Sequence, residues 1–209
     1  KIRTMKKGKF ITIDGIEGAG KSTQIAFICD YLQRKGLDVV KTREPGGTEL
    51  GKKIRKLLLG RDTGDMHSDT ELLLMFSDRN EHIHRKIKPA LNAGKWVVSD
   101  RFTDASFAYQ GGGRELDIGR ISELESWVHG EFQPDLTIIL NIETDLGMQR
   151  IEARAEKDRI EQEDWDFFER VRKSFVDRAK KYPERIKLID AACSVGEVQQ
   201  KIKSLLKDL

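Results

Sequence analysis

The chain has 209 residues, with 38 lysines and arginines against 35 aspartates and glutamates and a formal net charge of +3. That length suits one domain with a core that needs no disulfide or metal staples, and so small a charge gives no argument for a nucleic-acid partner. No apolar run reaches the roughly 20 residues of a membrane span, no apolar signal core follows the basic residues 1–8, and Cys29 and Cys193 form no spaced pair, which fits a reducing cytosol.

Phe10, Ile11, Thr12 and Ile13 form a short β-rich run, and a glycine-rich turn follows. A helical pattern starts near Lys21 and stops by Gly36. Val39 and Val40 suggest a second strand; Glu44-Pro45-Gly46-Gly47 must turn. Ile54, Leu57 and Leu58 give the i, i+3, i+4 stripe of another helix. Ser68-x-x-Glu71 reads as a capping box opening a long helix through Leu72, Phe76 and Ile83, which Pro89 kinks or ends. Trp96, Val97 and Val98 are strand-like and run into Ser99-Asp100-Arg101; Gly111-Gly112-Gly113 reads as a mobile loop. Residues 118–128 are helical, residues 136–140 form a strand, and helices follow from about Asp145 and Asp164. A strand over residues 186–189 and a terminal helix finish the chain. The alternation predicts an α/β protein with a parallel sheet covered on both faces.

Gly15-Ile16-Glu17-Gly18-Ala19-Gly20-Lys21-Ser22 matches GxxxxGK[ST] between a strand and a helix. The backbone amides of such a loop turn toward an anion, and the helix N-terminus adds its positive dipole end. Residues Gly15 to Thr23 are therefore the expected ATP-binding segment, with Lys21 on the β- and γ-phosphates and Ser22 on Mg²⁺. Asp100, at a strand end, suits a second, Walker-B-like metal contact. Fold and loop together predict a three-layer P-loop NTPase fold with a five-stranded parallel sheet flanked by helices.

A P-loop does not choose among GTPases, motors and small-molecule kinases. No NKxD or DxxG segment supports a GTPase. Phosphoryl transfer to a monophosphate needs forked cations facing two anions. Arg43, Arg79, Arg101 and the group Arg150, Arg154, Arg159 are the candidates. The segment at about 150–163 is dense in both charges and poor in apolar residues; it reads either as an exposed helical connection or as a lid that brings an arginine to the phosphates.

The segments Asp14-Gly-Ile-Glu17-Gly-Ala-Gly-Lys-Ser22, Thr42-Arg-Glu44-Pro45-Gly-Gly47, Asp100-Arg101-Phe102, Ala108-Tyr109-Gln110-Gly-Gly-Gly113 and Asp158-Arg159-Ile-Glu-Gln-Glu163 stand in that order. With them the chain resembles the bacterial thymidylate kinase family along essentially its whole length. The resemblance implies ATP + dTMP → ADP + dTDP with Mg²⁺, a homodimer and a cytoplasmic enzyme; a kinase for another monophosphate or a nucleoside, or a P-loop regulatory module, is the alternative. It implies that Glu17 faces the acceptor sugar, and that Arg101 holds the acceptor phosphate and bridges toward the donor. It implies too that Glu44 and Pro45 line the acceptor site, that Arg79 and Ser106 reach the base, and that Tyr109 and Gln110 close the sugar and base side. Gly18 stands where an arginine could follow Glu17, which resembles the bacterial class and implies that the lid supplies the catalytic arginine; Arg154 matches that position best by spacing, with Arg159 and Arg150 behind it. The family's base-stacking phenylalanine position holds Met75 here, with Phe76 one residue on, and either can take that part because both i−3 and i−4 share the face of Arg79.

Overall fold

The computed structural model describes residues 8–60, 64–152 and 157–209. Five strands, β1 (Phe10–Asp14), β2 (Val39–Arg43), β3 (Trp96–Asp100), β4 (Leu136–Asn141) and β5 (Ile186–Asp190), form one sheet in the order β2-β3-β1-β4-β5. Every pairing is parallel. Nine α-helical segments among the described residues connect and cover them: α1 (Lys21–Arg34), α2 (Glu49–Leu59), α3 (Ser68–His82), α4 (Lys88–Asn92), α5 (Thr103–Ser106), α6 (Ile118–Val128), α7 (Thr144–Glu152), α8 (Trp165–Lys181) and α9 (Val195–Lys207). This is the predicted α/β sheet with helices on both faces.

The strands at the centre are mostly apolar because both faces are covered, and the buried Thr12 and Thr137 hydroxyls of β1 and β4 hydrogen-bond each other at 2.8 Å. All five residues of β1 are buried. Ile11 and Ile13 look with Val98 into a cluster that includes Ile25, Ile28 and Leu32 of α1. Phe10 and Val97 look the other way, onto Ile83, Ile87, Leu91 and Phe102. Each such fully buried branched aliphatic side chain stabilises the fold by roughly 1.5–3 kcal/mol. Register places Ile13 opposite Asp100 on one side and Ile138 on the other, so β1 and β3 end at the same edge of the sheet. Ligands of open parallel sheets bind at that carboxyl edge.

Three local expectations are corrected. The capping box at Ser68 does not form. His67 is the N-cap and its Nδ1 accepts from the Asp69 amide at 3.2 Å, while Glu71 is drawn into the interior by partners described below. A reciprocal capping box stands instead at Ser194 and Glu197, opening α9. Pro89 does not end the long helix, which runs from α3 through a widened π-helical turn (Ile83–Ile87) into α4. The extra residue in that turn takes up the missing proline amide and the ring.

The triple glycine is no loose loop either. It closes a π-helical stretch (Phe107–Gly113) packed on α8. A Cβ on Gly113 would come within 2.5 Å of the Phe167 ring, and one on Gly112 within 2.8 Å of Ser174 Cβ. Glycine is needed there for close approach of two backbones.

Candidate active site

At the carboxyl edge lies a cavity of about 530 Å³. One end is the loop between β1 and α1, with Gly18, Gly20, Lys21, Ser22 and Thr23 on its wall. The loop follows the backbone demands of its glycines. Gly15 has φ 133° and Gly18 φ 77°, and a side chain on Gly18 would meet the Gly147 carbonyl of α7 at 2.6 Å. No arginine fits at that position, which is a steric reason for the glycine beside Glu17. The Lys21 ammonium donates to the Gly15 and Ile16 carbonyls at 2.9 and 2.8 Å. Burial lowers its pKa to about 8, with Arg101 pushing the same way.

The middle of the cavity is a charged knot around Arg101. This residue follows β3 with φ 72°, a left-handed backbone unusual for a side chain of its size. Strain of this kind clusters at functional sites. Its Nη2 donates to Glu17 Oε1 at 2.6 Å and to the Tyr109 hydroxyl at 2.9 Å, and its guanidinium carbon lies 4.5 Å from the Tyr109 ring centre. The Tyr109 hydroxyl donates in turn to Glu17 Oε2 at 2.5 Å. Burial alone would raise the pKa of Glu17, but Arg101, Lys21 and the Tyr109 hydrogen bond outweigh it and keep the carboxylate charged. Burial likewise opposes the charge on Arg101; Tyr109, Glu17, Asp100 and Asp14 reverse that and raise its pKa.

The far end is built on Glu44. Its amide donates to the Asp100 carbonyl at 2.9 Å, and the peptide to Pro45 is cis. Glu44 Oε2 takes Arg79 Nε at 2.9 Å, and Oε1 meets His82 Nδ1 at 2.9 Å. Arg79 also donates to Ser106 Oγ and the Phe102 carbonyl, both at 3.1 Å. Its fork is thus fixed from three sides, in low-dielectric surroundings where each bond is stronger than in water. Pro45, Met75, Arg79, Ser106, Tyr109 and Gln110 face this end of the cavity.

The structure separates the sequence candidates. Glu17, Lys21, Ser22, Thr23, Arg43, Glu44, Pro45, Arg79, Asp100, Arg101, Ser106, Tyr109 and Gln110 all line the cavity. Phe76 does not: it is buried under Arg79, whose guanidinium carbon lies 4.6 Å from the ring centre, and Met75 takes the wall position. On a helix, one residue turns a side chain by about a quarter-circle, which decides between them. Arg150 reaches the loop, donating to the Gly18 carbonyl at 2.7 Å. Arg159 turns away: its Nη2 bonds Glu71 Oε2 at 2.5 Å and its Nε the Leu58 carbonyl at 2.8 Å. Arg154 lies outside the described residues.

Sequence reading missed Asp14, Arg55 and His82. Asp14 ends β1 under the loop, and both of its oxygens are buried without a hydrogen-bond partner among the described residues. Burial raises its pKa to about 7, against the pull of Arg101. Its position directly before Gly15 was the available signal. Arg55 lines the cavity from α2 and donates to the Pro45 carbonyl at 3.0 Å; an apolar-stripe reading of that helix passes over it. His82 has no metal spacing and shows its use only when Glu44, 38 residues away, is folded against it.

A glycine-loop anion cradle at one end, a slot walled by Arg79, Ser106 and Gln110 at the other and Arg101 between them suit transfer of a phosphoryl group between two nucleotides. Fold and site thus define a P-loop phosphotransferase. The sequence comparisons resolve the class further. Residues 13–202 match the family model described as thymidylate kinase. The chain is 60% identical over 205 residues to a thymidylate kinase from Ruthia magnifica subsp. Calyptogena magnifica, covering 98% of this chain and all of that protein. It is 63% identical to another from Vesicomyosocius okutanii subsp. Calyptogena okutanii, with the same coverage. The crystal structure of thymidylate kinase from Ehrlichia chaffeensis superposes with a TM-score of 0.78 at 34% identity, over 96% of this chain and 98% of that one. The chain belongs to the thymidylate kinase family.

Proposed function

We propose that the chain transfers the γ-phosphoryl group of ATP to dTMP, giving dTDP for dTTP synthesis. Family membership supports the reaction, and the observation that carries it at the site is the Arg101 knot between loop and slot. On this reading the amides of residues 15–23 and Lys21 hold the ATP phosphates. Arg101 grips the acceptor phosphate at the side nearest the donor, so that the two reacting oxygens are held in line. Glu17 and Tyr109 fix Arg101 and border the deoxyribose. Arg79, Ser106, Gln110 and Met75 receive the base, with Glu44 and Pro45 forming the neighbouring wall. The chain works as one kinase domain, its segment at about 150–163 acting as a lid in which Arg150 or Arg154 meets the developing charge.

Mg²⁺, which the family implies, fits the oxygen donors present. Asp100 Oδ1 and both oxygens of Asp14 are buried acceptors without a donor among the described residues. A hard divalent ion prefers such ligands together with a hydroxyl and phosphate oxygens. Ser22 and Asp100 would hold it, and when bound it neutralises charge on the phosphates.

The functional unit on this reading is a cytoplasmic homodimer. Leu50 and Leu57 on α2, Leu73 on α3, and Ile118 and Trp127 on α6 are exposed, and Trp127 is 83% so. The three helices are neighbours, α3 packing on both others. Sedimentation velocity at micromolar concentration is expected to give a dimer, and Leu73→Glu a monomer; a wild-type monomer would refute this part. The activity itself is tested by ADP release from ATP and Mg²⁺ with dTMP, dUMP, dCMP, AMP, GMP or thymidine as acceptor. Fast turnover of another monophosphate with none of dTMP would overturn the assignment.

A further inference from the structure

Glu71 is fully buried, yet it lies outside the cavity and outside the knot just described. Its two oxygens are divided between different partners. Oε1 accepts from Gln110 Nε2 at 2.7 Å. Oε2 accepts from Arg159 Nη2 at 2.5 Å and Arg114 Nη2 at 3.3 Å. Arg114 Nε stands 3.5 Å from Oε1, and its Nη1 also pairs with Glu163 at 2.6 Å. Burial would favour the neutral acid, but Arg114, the Gln110 hydrogen bond and Arg159 outweigh it and hold the pKa below the usual glutamate value.

An ionised carboxylate can only accept hydrogen bonds. The end of the Gln110 amide turned to Glu71 must therefore be the nitrogen. The carbonyl oxygen is the end left over, and it takes no hydrogen bond from any described residue. Gln110 faces the base end of the cavity. We propose that Glu71 is a specificity-positioning residue: it locks the Gln110 amide so that a carbonyl acceptor, and not an amide donor, meets the base of the monophosphate. Such a site selects a 2,4-dioxopyrimidine, which carries a ring N–H, over a 4-amino-2-oxopyrimidine, whose corresponding ring nitrogen is an acceptor. A buried polar group matched to one partner rejects the mismatched one strongly. This inference rests on the pyrimidine monophosphate reading above.

Glu71→Gln is the informative variant because it keeps the shape. Two arginines, which only donate, claim the Oε2 position, so the new carbonyl settles there. The new NH₂ then faces Gln110, whose amide turns over and offers its own NH₂ to the cavity. The measurement is kcat/KM for dTMP, dUMP and dCMP. The dTMP/dCMP ratio is expected to fall at least tenfold, while dTMP/dUMP, two bases with the same ring N–H, stays within twofold. A merely structural role would lower all three together. Gln110→Leu, which leaves Glu71 with both arginines, is the second variant and must lose the same dTMP/dCMP ratio. A folded Glu71→Gln or Gln110→Leu enzyme that keeps the wild-type ratio overturns the proposal. A wild-type enzyme that phosphorylates no dTMP overturns the functional reading and this inference with it; one that phosphorylates dTMP but prefers dCMP overturns this inference alone.

Discussion

Glu17 and Arg101, 84 residues apart, meet as an ion pair of 2.6 Å that the Tyr109 hydroxyl closes into a triangle. The phosphate loop is thereby tied to the residue after β3, which on the proposed function joins the donor cradle to the acceptor end. Rigidity of this kind is what in-line transfer requires, since catalysis here is mostly positioning and charge stabilisation.

Arg101→Ala removes that tie. Turnover with dTMP is expected to fall on the order of 10²–10³-fold, the usual cost of losing a donor to the reacting group. ATP affinity, measured by calorimetry, should change only a few-fold, because Lys21 and the loop amides remain. Lost ATP binding with intact dTMP binding would refute the assigned role.

The proposed role of the 150–163 segment as a lid that brings an arginine to the phosphates is open to a kinetic comparison. Arg150 already touches the Gly18 carbonyl, whereas Arg159 is engaged with Glu71 and Leu58. Alanine at the acting position, Arg150 or Arg154, should lower kcat much more than it raises the KM for dTMP, the mark of an interaction made in the transition state. Arg159→Ala should instead lower thermal stability with a smaller effect on kcat. The reverse pattern would make Arg159 the catalytic member.

Gly113→Ala tests the close approach of the π-helical stretch to α8. The added methyl would stand 2.5 Å from Phe167 Cε2 and 2.9 Å from Val171 Cγ2. Overpacking of this kind costs about 1–3 kcal/mol. A fall in Tm of roughly 2–4 °C per kcal/mol is expected for a chain of this length. An unchanged Tm would mean the two segments separate freely, as a mobile loop would.

His129 supplies a pH test. Burial lowers its pKa from 6.5 to about 4, with Arg79 adding to the effect, and its Nε2 pairs with Thr103 Oγ1 at 2.7 Å. A folded pKa below the unfolded one means stability that is fully present above pH 6.5 and lost as pH falls toward 4. Denaturant titrations should show this group contributing a loss on the order of 3 kcal/mol across that window. His129→Gln should be less stable at neutral pH but lose less on acidification between pH 6.5 and 4. Parallel pH curves for the two proteins would place the acid sensitivity elsewhere.

Much of this was legible from the chain alone. The strand runs at residues 10–13 and 136–140 are mostly apolar, broken by Thr12 and Thr137, because both faces of a parallel sheet are covered, and that pattern is local. The glycine loop is equally local, since backbone amides and a helix start make the cradle whatever surrounds it. What stayed hidden was decided by partners far away in sequence. Ser68-x-x-Glu71 has the spacing of a capping box, but Gln110, Arg114 and Arg159 outbid the helix end for Glu71. Gly112 and Gly113 suggest mobility until Ser174 and Phe167 are packed against them. Met75 and Phe76 could exchange roles until the helix was turned against the cavity. The sequence by itself determined the strand order's raw material, the phosphate cradle and the arginines available to it, because these follow from residue type and short-range period. The tertiary structure alone decided which arginines line the cavity and which tie Glu71, because a buried charge goes to the partner that folding brings within about 3 Å, and no local pattern records that distance.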